Sequence, residues 1–242
     1  ILRPDFLKAT LIARLSSLMK ARSGIHRNTV ELLRDFINLE ILPIIFTHGG
    51  VGASGDLVQL AHIALCLIGE GEVIYQAKLQ STKQVLGKLK IKPLEIYIRE
   101  GLSLMNGTSC MTGIGMINTI MAYRLAKWEM LMSAMVNEIS EAYDDHISKE
   151  LNQVKPHPGQ QQVASAMRKI LKGSKLLKNR HEHLYDKEVL ADVLDEKVQE
   201  YYSSRCIPQI IGPIWETISN TEKVLTAEIN SVNDNPIIDY QN

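Results

Sequence analysis

The sequence predicts a mostly α protein, a bundle of long helices with a small β excursion around residues 71–100. Apolar residues recur at helical spacing through most of the chain, beginning with Leu7, Leu11, Leu15 and Leu18. From Met111 to Tyr143 the residues are apolar or small with few breaks, which predicts one long buried helix, or two joined near Lys127-Trp128-Glu129. The short β-prone runs, Val73-Ile74-Tyr75 and Leu94-Glu95-Ile96-Tyr97-Ile98, both fall within 71–100. The 242 residues suffice for a substantial core, as one large domain or two small ones. Short connections elsewhere favour a helical bundle.

The totals narrow the function. There are 27 basic and 27 acidic side chains, and this balance gives no reason to propose nucleic-acid or membrane-surface binding. No apolar run is long or charge-free enough to span a bilayer. The chain opens Ile1-Leu2-Arg3-Pro4, with neither an initiator Met nor a secretory pattern, as expected of a fragment. Cys66, Cys110 and Cys206 are odd in number, far apart and without CxxC spacing, so reduced thiols in a cytoplasmic protein are expected.

In chain order, the first leucine stripe runs to a stop at Ser23-Gly24. Asn28-Thr29-Val30-Glu31 reads as a helix start with a capping-box carboxylate, and Leu32, Leu33, Phe36, Ile37 and Leu39 carry that helix to Pro43. His26 and His48 read as loop residues. A third helix runs to Gly69 with Leu57, Leu60, Ala61, Ala64, Leu65 and Ile68 on one face; His62 is expected to be a satisfied core histidine and Cys66 a packed thiol. Lys78 to Lys92 reads as a polar, exposed β segment whose Lys83, Lys88, Lys90 and Lys92 form a solvated face. The methionines between Met111 and Met135 read as adaptable core, with Gly113 and Gly115 tolerable where another helix packs closely.

Further on, Asp144-Asp145-His146 lacks a second ligand at i+4, so capping or ion pairing is expected rather than a metal. A loop at Lys155 to Gly159 precedes a helix from Gln160 to Leu171. His181-Glu182-His183 reads as a polar linker, and Asp192 to Glu200 as a charged helix. Pro208 suits the first turn of a last helix, with Ile211, Trp215, Ile218, Leu225, Ile229 and Val232 on its buried side.

The densest local signal is Gly49-Gly50-Val51-Gly52-Ala53-Ser54-Gly55-Asp56. Four glycines within seven residues permit tight turning and positive φ, and Asp56 stands where an N-cap would stand. The plain reading is a turn and a cap, with Ser54 a solvated hydroxyl. An anion site at the helix N-terminus is a second, but the run lacks the Lys and the spacing of a phosphate loop and is not GxGxxG. A third makes Ala53-Ser54-Gly55 reactants. In a compressed turn the Gly55 nitrogen can attack the Ala53 carbonyl carbon, and loss of two waters leaves 4-methylideneimidazol-5-one (MIO), an electrophile.

Gly49 to His62 resembles the aromatic amino-acid ammonia-lyase family, the histidine, tyrosine and phenylalanine lyases with the related aminomutases. Asn106-Gly107-Thr108-Ser109, Gln199 to Gln209 (QEYYSSRCIPQ) and Glu228 to Asp239 (EINSVNDNPIID) also match, in the family's order. The resemblance implies the ammonia-lyase/fumarase-aspartase-like helical fold, and identifies residues 1–242 as the central part of one catalytic domain. The family's N-terminal base loop and C-terminal helices have no counterpart here, and the family's catalytic base is a Tyr on that missing loop.

The resemblance implies roles. Ala53, Ser54 and Gly55 become the MIO precursor, with no metal required. Asn106, otherwise a turn residue, sits beside the electrophile. Arg205 becomes the clamp on the substrate carboxylate, suited by its planar fork. Gln199 and Tyr202 match pocket positions, and Asn235 a carboxylate-side contact. The family often has Asp-Pro and Leu where this chain has Glu200-Tyr201 and Ser204, which puts loop shape in question more than chemistry. The implied reaction removes ammonia from an L-aromatic amino acid, histidine or tyrosine foremost, leaving the trans-α,β-unsaturated acid. An aminomutase using the same electrophile, and an inactive helical module serving folding or oligomerisation, are the alternatives. The implied assembly is a homotetramer, with each active site built from several subunits.

Overall fold

The computed structural model describes residues 1–186 and 197–239. The chain divides into two compact units: Ile1–Asn118 with Glu222–Asn242, and Thr119–Thr221. The architecture is helical, as expected, with one small sheet.

In the first unit, α1 (Pro4–Leu18) and α2 (Arg27–Asn38) pack together. With α3 (Leu57–Leu67) they enclose a core that includes Leu7, Leu11, Leu33, Phe36, Leu60 and Leu67. Helix α1 ends before the expected Ser23-Gly24 stop. Its buried face is set by Leu7, Leu11, Arg14 and Leu18, with Leu15 only half-buried. The inner face of α3 is Leu60, Ile63, Cys66 and Leu67, while Leu65, assigned to the buried side from periodicity, is 42% exposed. Burial pushes the Cys66 thiol up, consistent with a packed, unreactive group.

The capping box expected at α2 does not form. Thr29 and the His26 N–H both donate to Oε1 of Glu100, at 2.9 and 3.0 Å, and Glu31 pairs with Arg27 instead. A carboxylate 71 residues away thus anchors the start of α2 through the Thr29 hydroxyl and the N–H of the residue before the helix.

The sheet has order β1-β2-β3, all antiparallel. Strand β2 (Glu72–Tyr75) is where expected, and it pairs with β1 (Leu42–Pro43) and β3 (Lys78–Ser81). Gln76 and Ala77 both take positive φ, giving a two-residue hairpin without the usual Asn-Gly. Thr82–Leu89 is a helix, α4, whose Val85 and Leu86 are buried in the core. Lys90, not Gly, takes the left-handed position that ends it. Residues 94–98 are not strand; Tyr97 N–H instead donates to Glu100 at 3.0 Å. The four lysines are exposed, as expected.

Helices α5 (Glu100–Met105) and α6 (Ser109–Ile139) follow. Helix α6 is single and 31 residues long, but it is not buried within this chain. Met111, Leu125, Trp128, Met132, Met135 and Ile139 are exposed, so most of the expected methionine core lies at the surface. A Cβ on Gly113 would stand 2.5 Å from the Thr10 nitrogen, so that glycine does admit a close helix contact with α1.

In the second unit, α7 (Lys149–Gln153), α8 (Pro158–Ile170), α9 (Tyr202–Arg205) and most of α10 (Ile207–Ile229) accompany the remainder of α6. Its core includes Met130, Val163, Met167, Ile207 and Ile211. Helix α8 starts two residues before the expected Gln160, because Pro158 suits a first turn. Of the expected inner face of α10, Ile211 is buried and Trp215, Ile218, Leu225 and Ile229 are half-buried; Val232 lies beyond the helix. His181–Tyr185 forms a π turn rather than a linker. The helix expected from Asp192 falls outside the described residues as far as 196, and 197–200 are not helical.

Burial alone would raise the Glu100 carboxyl, yet the N–H donors of Tyr97 and His26 and the Thr29 hydroxyl hold it below its usual range. A depressed carboxyl contributes stability that is present above its unfolded value and is lost as pH falls through the folded one. Glu100→Gln should therefore cost about 1–3 kcal/mol at neutral pH and flatten the acid limb of the stability profile. Denaturant titrations from acid to neutral pH measure both, and an unchanged acid limb would exclude Glu100 as the group responsible.

Candidate active site

In the first unit the glycine-rich run forms a turn with three left-handed residues near its end: Gly52, Ser54 and Gly55 have φ of +71°, +54° and +80°. Ser54 is not glycine, so its left-handed backbone is strained unless its surroundings enforce it. The enforcement comes from Asn106-Gly107-Thr108. Gly55 and Gly107 form a parallel bridge, and Asp56 N–H donates to the Gly107 carbonyl at 2.8 Å. A Cβ on Gly55 would lie 2.3 Å from that carbonyl oxygen, so only glycine fits.

Asp56 occupies the N-cap position of α3, but its side chain does not cap that helix. Its Oδ2 accepts the Met111 N–H at 2.8 Å, satisfying the first turn of α6 instead. The hydroxyl of Thr108, the residue before α6, donates to Glu228 at 2.9 Å and so leaves that role to Asp56. Ala53 and Ser54 are exposed, and Gly55 and Asp56 line an open cleft of about 300 Å³ with Phe46, Thr47, Met111 and Ile114. Cys110, also on the cleft, is no nucleophile, because burial pushes its thiol up to about 11. Asn106 is buried at the C-cap of α5, in the same turn that closes on Gly55. Asn235 is exposed, directly after the buried Asp234.

The remaining candidates lie in the second unit. Arg205 is half-buried at the end of α9, 5.3 Å from the centre of the Tyr202 ring. Its Nε is buried and unpartnered, and it makes no ion pair among the described residues. That is an unusual state for a guanidinium and leaves its fork available to an anion. Tyr202 and Gln199 are exposed. The segment before them is tied down: Tyr143 hydroxyl donates to the Lys197 carbonyl at 2.8 Å, Arg180 donates to the Val198 carbonyl, and the buried Glu200 carboxylate receives Lys197. The departure from the family pattern at Glu200 is thus a buried, paired carboxylate.

Several readings change. His62 is not a satisfied core histidine: its ring meets Phe46 edge-on at 5.2 Å, and its Nδ1 is buried without a partner. Asp145 pairs with Arg180 at 2.6 Å, as the ion-pairing reading expected. Among the described residues no group of three or more His, Cys, Asp or Glu could hold a metal ion, and no helix is long and apolar enough to cross a membrane. Sequence reasoning missed Arg14, Asp234 and Glu228, which stand behind the Gly107 turn. Arg14 alone carried a signal, as a charge in register with Leu7, Leu11 and Leu18.

The sequence profile of the family described as "Aromatic amino acid lyase" matches residues 1–242. The chain belongs to this family. Aromatic amino acid lyase relatives include the tyrosine 2,3-aminomutase of Chondromyces crocatus, 41% identical over 242 residues, covering 97% of this chain and 45% of that protein. The histidine ammonia-lyase of Shouchella clausii is 36% identical, covering 97% and 44%. Among solved structures, the phenylalanine aminomutase of Pantoea agglomerans superposes with a TM-score of 0.89 at 34% identity, covering 97% of this chain and 46% of that one. The histidine ammonia-lyase of Trypanosoma cruzi gives 0.82 at 30% identity, covering 98% and 42%. The chain spans about half the length of the curated relatives it matches.

The cap has a measurable consequence. Asp56→Ala should cost about 0.5–2 kcal/mol by orphaning the Met111 N–H, and Asp56→Asn, which keeps an acceptor, should cost less. Denaturant unfolding measures both, and equal losses would show that the α6 cap is not what Asp56 contributes.

Proposed function

We propose that the full-length protein is an ammonia-lyase acting on an L-aromatic amino acid, histidine or tyrosine foremost, through an MIO group made from Ala53, Ser54 and Gly55. The observation that carries this is the Ser54-Gly55 turn, held left-handed and closed on Gly107, in a chain of the aromatic amino acid lyase family. The residues fit the group, because Gly55 sits where a side chain would collide with a backbone carbonyl.

Formation of the ring is balanced by the chain's own atoms. The Gly55 nitrogen bonds to the Ala53 carbonyl carbon, and its proton passes to the oxygen. That hydroxyl leaves as water with the Ser54 N–H proton, forming a C=N bond. A second water leaves with the Ser54 Cα hydrogen and Cβ hydroxyl, giving the methylidene; no oxidant is needed. The group supplies an electrophile that bonds covalently to the substrate.

Arg205 holds the substrate carboxylate with its free fork, which fixes the reacting carbons. Asn106 presents its amide beside the electrophile. Gln199 and Tyr202 line the pocket, Asn235 assists at the carboxylate side, and no metal takes part. Residues 1–242 then belong to one catalytic domain. The exposed apolar side chains of α6 and α10, among them Leu125, Trp128, Met132 and Ile214, support a homotetramer in which neighbouring subunits cover them.

A second reading is favoured by the 41% identity to a tyrosine 2,3-aminomutase. There the same electrophile serves to return the amine to the β-carbon. Incubating the full-length protein with His, Tyr and Phe and identifying products separates the two: unsaturated acid with ammonia, or a β-amino acid. Neither product from any of the three would refute both. In the active protein Arg205→Lys should lower kcat/KM at least tenfold, since losing a charge-assisted pair costs roughly 1.5–3 kcal/mol. Unchanged kinetics would remove Arg205 from the site.

A further inference from the structure

Against the Gly107 turn lies a buried ion pair. Arg14 and Asp234 side chains are 1% and 2% exposed, with Nη1 and Oδ1 2.7 Å apart. Arg14 also donates through Nη2 to the Ser103 carbonyl, in α5. Asp234 Oδ2 accepts from Ser23 at 2.5 Å and from Ser17 at 3.2 Å. Gly107 is pressed against this group: a Cβ there would meet Arg14 Nη1 at 2.6 Å and Asn233 Oδ1 at 2.8 Å.

The pair is a poor way to gain stability. Arg14 Nε has no partner, and Nη1 and Asp234 Oδ1 make a close charge contact without hydrogen-bond geometry. Buried pairs so imperfectly satisfied are often less stable than apolar residues of equal volume. What the pair supplies is location. A planar guanidinium fixed at the end of α5 and at the segment after α10 gives Gly107 a wall that cannot slide, whereas an aliphatic filler could repack.

We propose that Arg14 and Asp234 are positioning residues for ring closure: by backing Gly107 they hold its carbonyl against Gly55 and Asp56, which keeps the Gly55 nitrogen within reach of the Ala53 carbonyl carbon. The inference rests on the reading of Ala53-Ser54-Gly55 as the ring precursor. Neither residue touches the reacting atoms, so the effect is on formation of the ring rather than on its later chemistry.

The test reads intact mass in the full-length protein, where closure removes two waters. Asp234→Asn and Arg14→Lys preserve volume but break the pair. The cyclised fraction should fall about tenfold or more, since small misplacements of reacting atoms cost on the order of 10²-fold in rate. Circular dichroism should remain that of the parent. Phe36→Leu, in the same unit but away from the turn, lowers stability and should leave closure complete. Should the single variants fail to fold, Arg14→Met combined with Asp234→Leu removes both charges while filling the space, and it should fold yet remain under-cyclised. Complete closure in the folded single or double variants overturns the proposal, as does an equal loss of closure in Phe36→Leu. Absence of the mass loss in the parent protein refutes the ring reading itself, and is seen without any variant.

Discussion

A contact between two glycine backbones organises the first unit. Neither Gly55 nor Gly107 admits a side chain: a Cβ on the first would meet the other's carbonyl, and a Cβ on the second would meet Arg14 and Asn233. Around that contact the chain arranges its helix ends. Asp56 donates its N–H to Gly107 and lends its carboxylate to α6, and Thr108 reaches Glu228 near the end of α10. The strained φ of Ser54 persists because both sides of the turn are held. The geometry of three small residues, two of them exposed, is thus held by groups that are mostly buried.

Two helix starts in this unit are tied to carboxylates from remote segments. The Met111 N–H in the first turn of α6 is met by Asp56, and Glu100 takes the His26 N–H just before α2 together with the Thr29 hydroxyl within it. A local cap stabilises one helix; a remote cap also fixes where that helix sits relative to another segment. The cost is that a single carboxylate serves two elements, so its loss is felt in both.

Much of this architecture was legible in sequence, and the reasons for the misses are physical. The helices came from periodicity, and the family came from the glycine-rich turn and the blocks at Asn106, Gln199 and Glu228. Within the segment read as β, strand β3 is there but α4 was missed, because the punctuation is unconventional: Gln76-Ala77 makes the hairpin turn and Lys90 ends the helix, where glycine or asparagine would be read. The capping box at Thr29 was misread because sequence cannot show that Glu100 arrives from elsewhere. The methionine-rich helix was read as buried from its composition alone. Composition reports that a face wants covering, without saying whether the same chain covers it; here Met132 and Trp128 stay exposed.

Arg14 and Arg205 show where sequence reading ends. Each is a single arginine in a helical stretch, and propensity treats them alike. Arg14 is enclosed, with a carboxylate 2.7 Å away and a carbonyl accepting from it, so its charge is committed to the fold. Arg205 is half-buried, rests on Tyr202, and keeps an unpartnered Nε with no carboxylate paired to it among the described residues. A guanidinium already neutralised cannot bind a second anion at low cost, whereas one desolvated without a partner gains by receiving one. The different settings of the two, one committed to a buried ion pair and the other keeping an unpartnered Nε, follow from the partners each has among the described residues.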